Sequence, residues 1–118
     1  MATPPGSTSA SLVLPCPTKE RFQEILKDNN DKLVVVEFAA SWCGYCKLIG
    51  PAVDEFAEKN KDVVVFVKVD WDEMKGLTRE YGVRGFPTFI LLKKGKKVAK
   101  IVGAKTDELN KQIQKYKG

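Results

Sequence analysis

The sequence predicts an α/β fold, with a mixed central sheet of about five strands and helices on both faces. Three observations lead there. Two apolar runs, Leu33-Val34-Val35-Val36-Glu37-Phe38-Ala39-Ala40 and Val63 to Val69, read as central strands covered on both sides. Segments with helical spacing separate the early strand-like runs, which demands right-handed parallel crossovers. Near the C-terminus, two strand-like runs flank Lys94-Gly95 and predict an antiparallel hairpin.

Taken in order, residues 1–14 are expected to form a flexible N-terminal tail and residues 15–118 one domain. Met1 to Ser11 is small and polar with two prolines, too poor in apolar surface to offset the entropy of ordering. Leu12 to Leu14 could add a short strand, stopped by Pro15 and Pro17. Thr18 is a candidate N-cap for a helix to about Asn29, with Phe22, Ile25 and Leu26 on its apolar face. After the first central strand, a helix is expected from about Cys43 to Asn60. It is kinked at Pro51, whose ring removes one backbone hydrogen bond. After the second central strand, Asp72 is expected to cap a short helix. Leu77 and Tyr81 face inward there, and Gly82 ends it. Pro87 opens a strand from Thr88 to Leu92, and Val98 to Val102 pairs back on it. Lys97 and Lys100 suit an edge strand, where charge discourages pairing with other chains. A last helix, Thr106 to Tyr116, turns Leu109, Ile113 and Tyr116 inward.

Composition narrows the function classes. A chain of 118 residues with 43% apolar content has room for one core. The formal net charge is +5, yet only Arg21, Arg79 and Arg84 are arginine, and none adjoins another. Lysine-dominated charge suits solubility and soft steering toward acidic partners better than nucleic-acid reading. No apolar run approaches the roughly 20 residues of a membrane span. The N-terminal residues lack a charged start, an apolar signal core and arginine, so the expected location is cytoplasmic. There is no histidine, which removes the commonest general base and the commonest metal ligand together.

Chemistry concentrates in Trp42-Cys43-Gly44-Tyr45-Cys46-Lys47, where a buried strand hands over to a helix. Two cysteines three apart at a helix start share a face and lie close enough to bridge. Cys43 falls at the helix N-terminus, where free N–H groups and the macrodipole stabilise a thiolate. Cys46 lies one turn in and is expected to be better shielded, so Cys43 attacks and Cys46 resolves. Half of a zinc site has the same spacing, but Cys16 is the one further soft ligand where four are normally needed.

From about Thr18 to the C-terminus the chain resembles thioredoxin in motif order and spacing. Leu33 to Phe38 followed by Trp42 to Lys47 resembles the family's active-site strand and helix, and Pro51 its helix-kinking proline. Lys68-Val69-Asp70 resembles its third strand. Gly85-Phe86-Pro87-Thr88 resembles the loop whose proline is cis and faces the active site, and Val102-Gly103-Ala104 the glycine segment beside the substrate groove. Cys16 and the Val-Gly-Ala-Lys segment resemble h-type and animal members. The resemblance implies a thioredoxin fold and a protein-disulfide reductase with a redox-active disulfide, Cys43–Cys46, and no bound cofactor or metal. Cys43 attacks a client disulfide and Cys46 displaces the reduced client. A flavin-dependent thioredoxin reductase, drawing on NADPH, restores the dithiol. The expected partners are therefore disulfide-bearing clients and that reductase, without nucleic acid or membrane. The protein is expected as a monomer, with a dimer through Cys16 as the alternative.

Three positions depart from the family pattern. Tyr45 stands where proline is usual, which alters the balance of dithiol and disulfide and opens an isomerase- or oxidase-like alternative. Glu37 replaces a buried aspartate that deprotonates the resolving cysteine. A raised pKa is expected for it, with a structural ion pair to Lys68 as the plainer alternative. Ala39 stands where many members have an aromatic residue. Trp42, Gly44, Tyr45, Phe86, Pro87 and Gly103 are the candidate client-binding residues. For Trp42 core packing is an equal alternative; for Pro87 pairing with a client is favoured over simple strand opening. Trp71 reads as packing, and Cys16 as either a buried hydrophobe or an accessory thiol. A noncatalytic binding module remains a third functional class. A glutaredoxin is disfavoured, because Gly44 stands where those proteins usually have proline.

Overall fold

The computed structural model describes residues 11–118; the tail reading for residues 1–10 lies outside them. Its elements are β1 (Val13–Pro15), α1 (Lys19–Asp28), β2 (Leu33–Ala39), α2 (Gly44–Lys59), β3 (Val64–Asp70), α3 (Lys75–Glu80), β4 (Thr88–Lys93), β5 (Lys96–Val102) and α4 (Thr106–Tyr116). The five strands form one sheet in the order β1-β3-β2-β4-β5. β3 runs parallel to β1 and β2, whereas β4 is antiparallel to β2 and β5, so the sheet is mixed as expected.

Every residue of β2 is buried, because this central strand is covered on both faces. Alternation then sorts its side chains. Val34, Val36 and Phe38 join Phe22, Ile25, Leu77, Val67 and Ile90 in the core under α1 and α3. Leu33 and Val35 join Val53, Phe66, Phe89, Leu109 and Ile113 under α2 and α4. Glu37 has the parity of Leu33 and Val35, so it too points toward α2. Lys68 is its register partner on β3. Each large side chain buried in these layers contributes about 1.5–3 kcal/mol of transfer free energy.

Local chemistry sets the boundaries. Thr18 caps α1, its hydroxyl accepting from the Arg21 amide at 3.1 Å. Asn29 and Asn60 end α1 and α2, their side-chain amides donating to the Ile25 and Phe56 carbonyls at 2.9 and 2.8 Å. Lys94 and Gly95 both have positive φ (53° and 78°), the geometry of a two-residue hairpin turn. That tight turn keeps pairing going to Lys93 and Lys96, so β5 starts two residues earlier than the sequence suggested. The first strand is Val13–Pro15, with Val13 and Leu14 opposite Phe66 and Val67, which draws both into the sheet from the expected tail.

One expected cap is corrected. Asp72 does not cap α3, which begins at Lys75 after Met74. Its carboxylate instead accepts from the Ser41 hydroxyl at 3.2 Å, and its amide donates to the Asp70 side chain at 2.8 Å. Both groups are spent on the turn after β3.

Candidate active site

The central strand delivers the cysteine pair. β2 ends at Ala39, and the Cys43 amide donates to the Ala40 carbonyl at 3.0 Å, turning the chain into α2. Cys43 is the N-cap of that helix, and its sulfur accepts from the Cys46 amide at 3.1 Å. A thiolate there would meet a hydrogen-bond donor and the positive end of the helix dipole, with no acidic residue in the first turn to oppose it. Cys43 and Cys46 form a disulfide, their Cα atoms 5.3 Å apart.

Greater shielding of Cys46 does not hold in this oxidised form: Cys43 is 5% exposed and Cys46 4%. The two sulfurs are bonded to each other, and both pack with Ala39 and Ala40 against the half-buried Trp71 and Phe86. What separates them is what lies on either side.

Outside lies an apolar surface. Trp42 is 64% exposed, which answers the core-packing alternative, and Tyr45 is exposed as well. The Trp42 ring meets Phe86 at 5.7 Å and Trp71 at 6.4 Å, both edge to face. The Lys75 ammonium lies 4.7 Å from the centre of the Trp71 ring. Trp71 packs at the end of β3, as expected, and there forms part of the aromatic floor beside the cysteines. Leu48, 71% exposed, extends the surface one helical turn beyond Tyr45, and sequence reasoning missed it. Its i, i+3 spacing from Tyr45 was the available signal.

The Phe86–Pro87 peptide bond is cis. Thr88 Oγ1 donates to the Gly85 carbonyl at 2.8 Å, and the Gly103 amide donates to the Pro87 carbonyl at 2.8 Å. Gly103 has φ of 99°, which a side chain would strain. Among the described residues, no hydrogen bond within the fold engages the Phe86 backbone. The structure therefore packs Phe86 against the cysteine pair with Trp42 beside it, and ties Gly103 to Pro87, which is itself buried.

Inside lies a cavity of about 380 Å³, lined by Glu37, Cys46, Gly50, Asp54, Lys68, Cys16 and others. Burial pushes the Glu37 carboxyl up to about 7; Lys68 opposes the rise and Asp54 adds to it. Glu37 is 4% exposed, and among the described residues it forms no ion pair. The structural pair with Lys68 is therefore not made, although the two are register neighbours. The cavity is wide enough for water to relay a proton between Glu37 and Cys46.

Cys16 is 2% exposed, its thiol donating to the Thr18 carbonyl at 3.5 Å, and burial raises its pKa. A thiol so placed is a poor nucleophile and lacks the exposure that an intermolecular disulfide requires. Among the described residues, no group of three or more Cys, Asp, Glu or His side chains is arranged to hold a metal ion.

The family model for thioredoxin matches residues 13–115. Thioredoxin H2 of Arabidopsis thaliana is 48% identical over 96 residues, covering 81% of this chain and 70% of its own length. An H-type thioredoxin of Ricinus communis is 47% identical over 106 residues, covering 88% of this chain and 89% of its own. The crystal structure of thioredoxin NaTrxh from Nicotiana alata superposes with a TM-score of 0.88 at 43% identity, over 95% of this chain and 98% of that one.

Proposed function

The chain belongs to the thioredoxin family and is a thioredoxin-type protein-disulfide reductase, and from that premise we propose how its residues divide the work. In the dithiol form, the Cys43 thiolate attacks one sulfur of a client disulfide. A Cys43–client bond forms, and the other client sulfur leaves as a thiolate and takes a proton. Glu37, as carboxylate, accepts the Cys46 proton directly or through water in the shared cavity. The Cys46 thiolate then attacks the Cys43 sulfur, the Cys43–Cys46 disulfide forms as the Cys43–client bond breaks, and the second client sulfur leaves as a thiolate and takes a proton. Two electrons pass from the cysteine pair to the client. No bound cofactor takes part.

Gly44 adds no side chain beside Cys43, and a Cβ there would meet nothing within 4 Å. An extended client segment pairs with the free backbone of Phe86 while its side chains rest on Trp42, Tyr45 and the Gly103 segment. Lys68 moderates the charge on Glu37 from the neighbouring strand. The observation that carries this reading is the Cys43 sulfur at the α2 N-cap, bonded to a Cys46 that opens onto the Glu37 cavity.

The clients are disulfide-bearing proteins. A flavin-dependent thioredoxin reductase returns the dithiol with electrons from NADPH, placing the protein in cytoplasmic electron transport and redox homeostasis. It works as a monomer, without nucleic acid. Among the described residues, no helix is long and apolar enough to cross a membrane.

Trapping tests the assignment. Cys46→Ser is expected to hold a client on Cys43 as a stable mixed disulfide, while Cys43→Ser reduces insulin disulfides at least about a thousandfold more slowly. Full activity of Cys43→Ser would sink the mechanism and favour a noncatalytic binding module. Tyr45 supports a second reading, because its amide adds a donor near the Cys43 thiolate that proline lacks. Stabilising the dithiol raises the potential toward isomerase or oxidase behaviour.

A further inference from the structure

Glu37 does not face Cys46 alone. Along α2, Cys46, Gly50 and Asp54 recur at intervals of four and line the same cavity as Glu37. Gly50 leaves the line between them open: a Cβ built there meets nothing within 4 Å. Asp54 is itself exposed and is tied in place, with the Ser11 hydroxyl donating to its Oδ1 at 2.9 Å. The same Ser11 oxygen accepts from the Val13 amide at 3.2 Å, so its hydroxyl proton is free for the carboxylate. The charged and titratable groups around the cavity are Lys68 and Asp70 from β3, Cys46 and Asp54 from α2, Cys16 after β1 and Glu73 before α3. On the other flank, β4 offers the apolar Phe89.

We propose that Asp54, fixed at the mouth of this cavity by Ser11, is a positioning residue whose negative charge sets the proton affinity of Glu37. It thereby sets the pH range in which Cys46 resolves the mixed disulfide. This rests on Glu37 as the acceptor of the Cys46 proton. Lys68 and Asp54 approach Glu37 with opposite charge, from β3 and from α2. A carboxylate held across the cavity keeps the Glu37 proton on until higher pH, whereas Lys68 alone would release it early. Asp54 touches neither sulfur in this role and acts only through Glu37.

Two readouts on full-length protein test this. The Glu37 carboxyl is titrated by carbon-13 NMR in wild type, Asp54→Asn and Asp54→Glu, and client release from Cys43 is timed across the same pH range. The Glu37 midpoint falls in Asp54→Asn and stays at the wild-type value in Asp54→Glu. One pH unit below the wild-type midpoint, resolution in Asp54→Asn is about twofold faster, because more Glu37 is ionised. A merely structural Asp54 would instead slow the reaction equally at every pH, with the midpoint unmoved, and that result overturns the proposal. A midpoint that moves while the release profile stays put overturns the link to Cys46, and with it the Glu37 assignment rather than the effect of Asp54 on Glu37.

Discussion

On its outer side the Cys43–Cys46 pair packs against Phe86 and is flanked by the exposed Trp42 and Tyr45; on its inner side Cys46 shares a cavity of about 380 Å³ with Glu37. The sulfurs themselves are almost equally covered. Exposure therefore does not assign their roles. The outer side is built to admit a large partner and to stabilise a thiolate at a helix N-cap. The inner side holds an acid whose proton is poised near neutral pH. One side selects and binds, the other handles a proton, and the helix start between them lets two chemically identical residues act differently.

The largest expected effect breaks the inner side. The Glu37 pKa is raised from 4.5 to about 7, so the folded state binds this proton more tightly than the unfolded chain does. Stability from this group is then full below about pH 4.5 and is lost as pH rises through about 7, by roughly 3 kcal/mol in all. Glu37→Gln removes the charge that becomes costly. In urea unfolding of the disulfide form, the variant should lose the wild-type decline between pH 5 and pH 8 and be about 2–3 kcal/mol more stable at pH 8. An unchanged decline would place the titrating group elsewhere.

How this division could be read from the chain depends on the residue. Glu37 inside an otherwise apolar strand announced both burial and a raised pKa, because one charged residue in a covered run has no route to water. Thr18, the Lys94-Gly95 turn and the last helix were legible because each rests on neighbours in sequence. Asp72 misled because an aspartate before a helix can cap it or bind a turn, and Ser41, 31 residues away, decided the matter. The cavity was not legible at all. Its walls come from the N-terminal segment, β2, α2 and β3, and no local pattern reports that convergence. Trp71 was legible as packing but its partners were not, for the same reason: Trp42 and Phe86 come from other loops.

On the outer side, Gly103→Ala tests how firmly the client-binding loop is held. The added methyl has open space around it, so any cost comes from the backbone at φ 99°. A loss of about 1–2 kcal/mol in urea unfolding is expected, with slower client reduction as the contact to Pro87 loosens. Wild-type stability would show that the loop adapts at no cost.

Tyr45→Pro probes the helix start itself. Proline is tolerated in the first turn, but it removes one amide from the end of the helix that stabilises the thiolate. The dithiol should weaken by about 1 kcal/mol, lowering the reduction potential by roughly 20 mV toward the thioredoxin value of about −270 mV. Equilibration with glutathione buffers measures it. A potential that rises would reverse the assigned effect of Tyr45.

The smallest effect isolates docking from chemistry. Leu48 is 71% exposed, one turn beyond Tyr45, and belongs to neither apolar core. Truncation to alanine removes nothing the folded chain uses, so stability should hold within about 0.5 kcal/mol. A protein client that lies across α2 would lose apolar contact, and kcat/KM should fall about two- to fivefold, equivalent to roughly 0.5–1 kcal/mol. A small disulfide that reaches only Cys43 cannot touch Leu48, and its reduction rate should not change. Equal losses for both substrates would mean that Leu48 acts through the helix carrying the cysteines, and the outer face would then end at Tyr45. A loss confined to protein clients would carry that face one turn further along α2, on the side of the helix away from the Glu37 cavity.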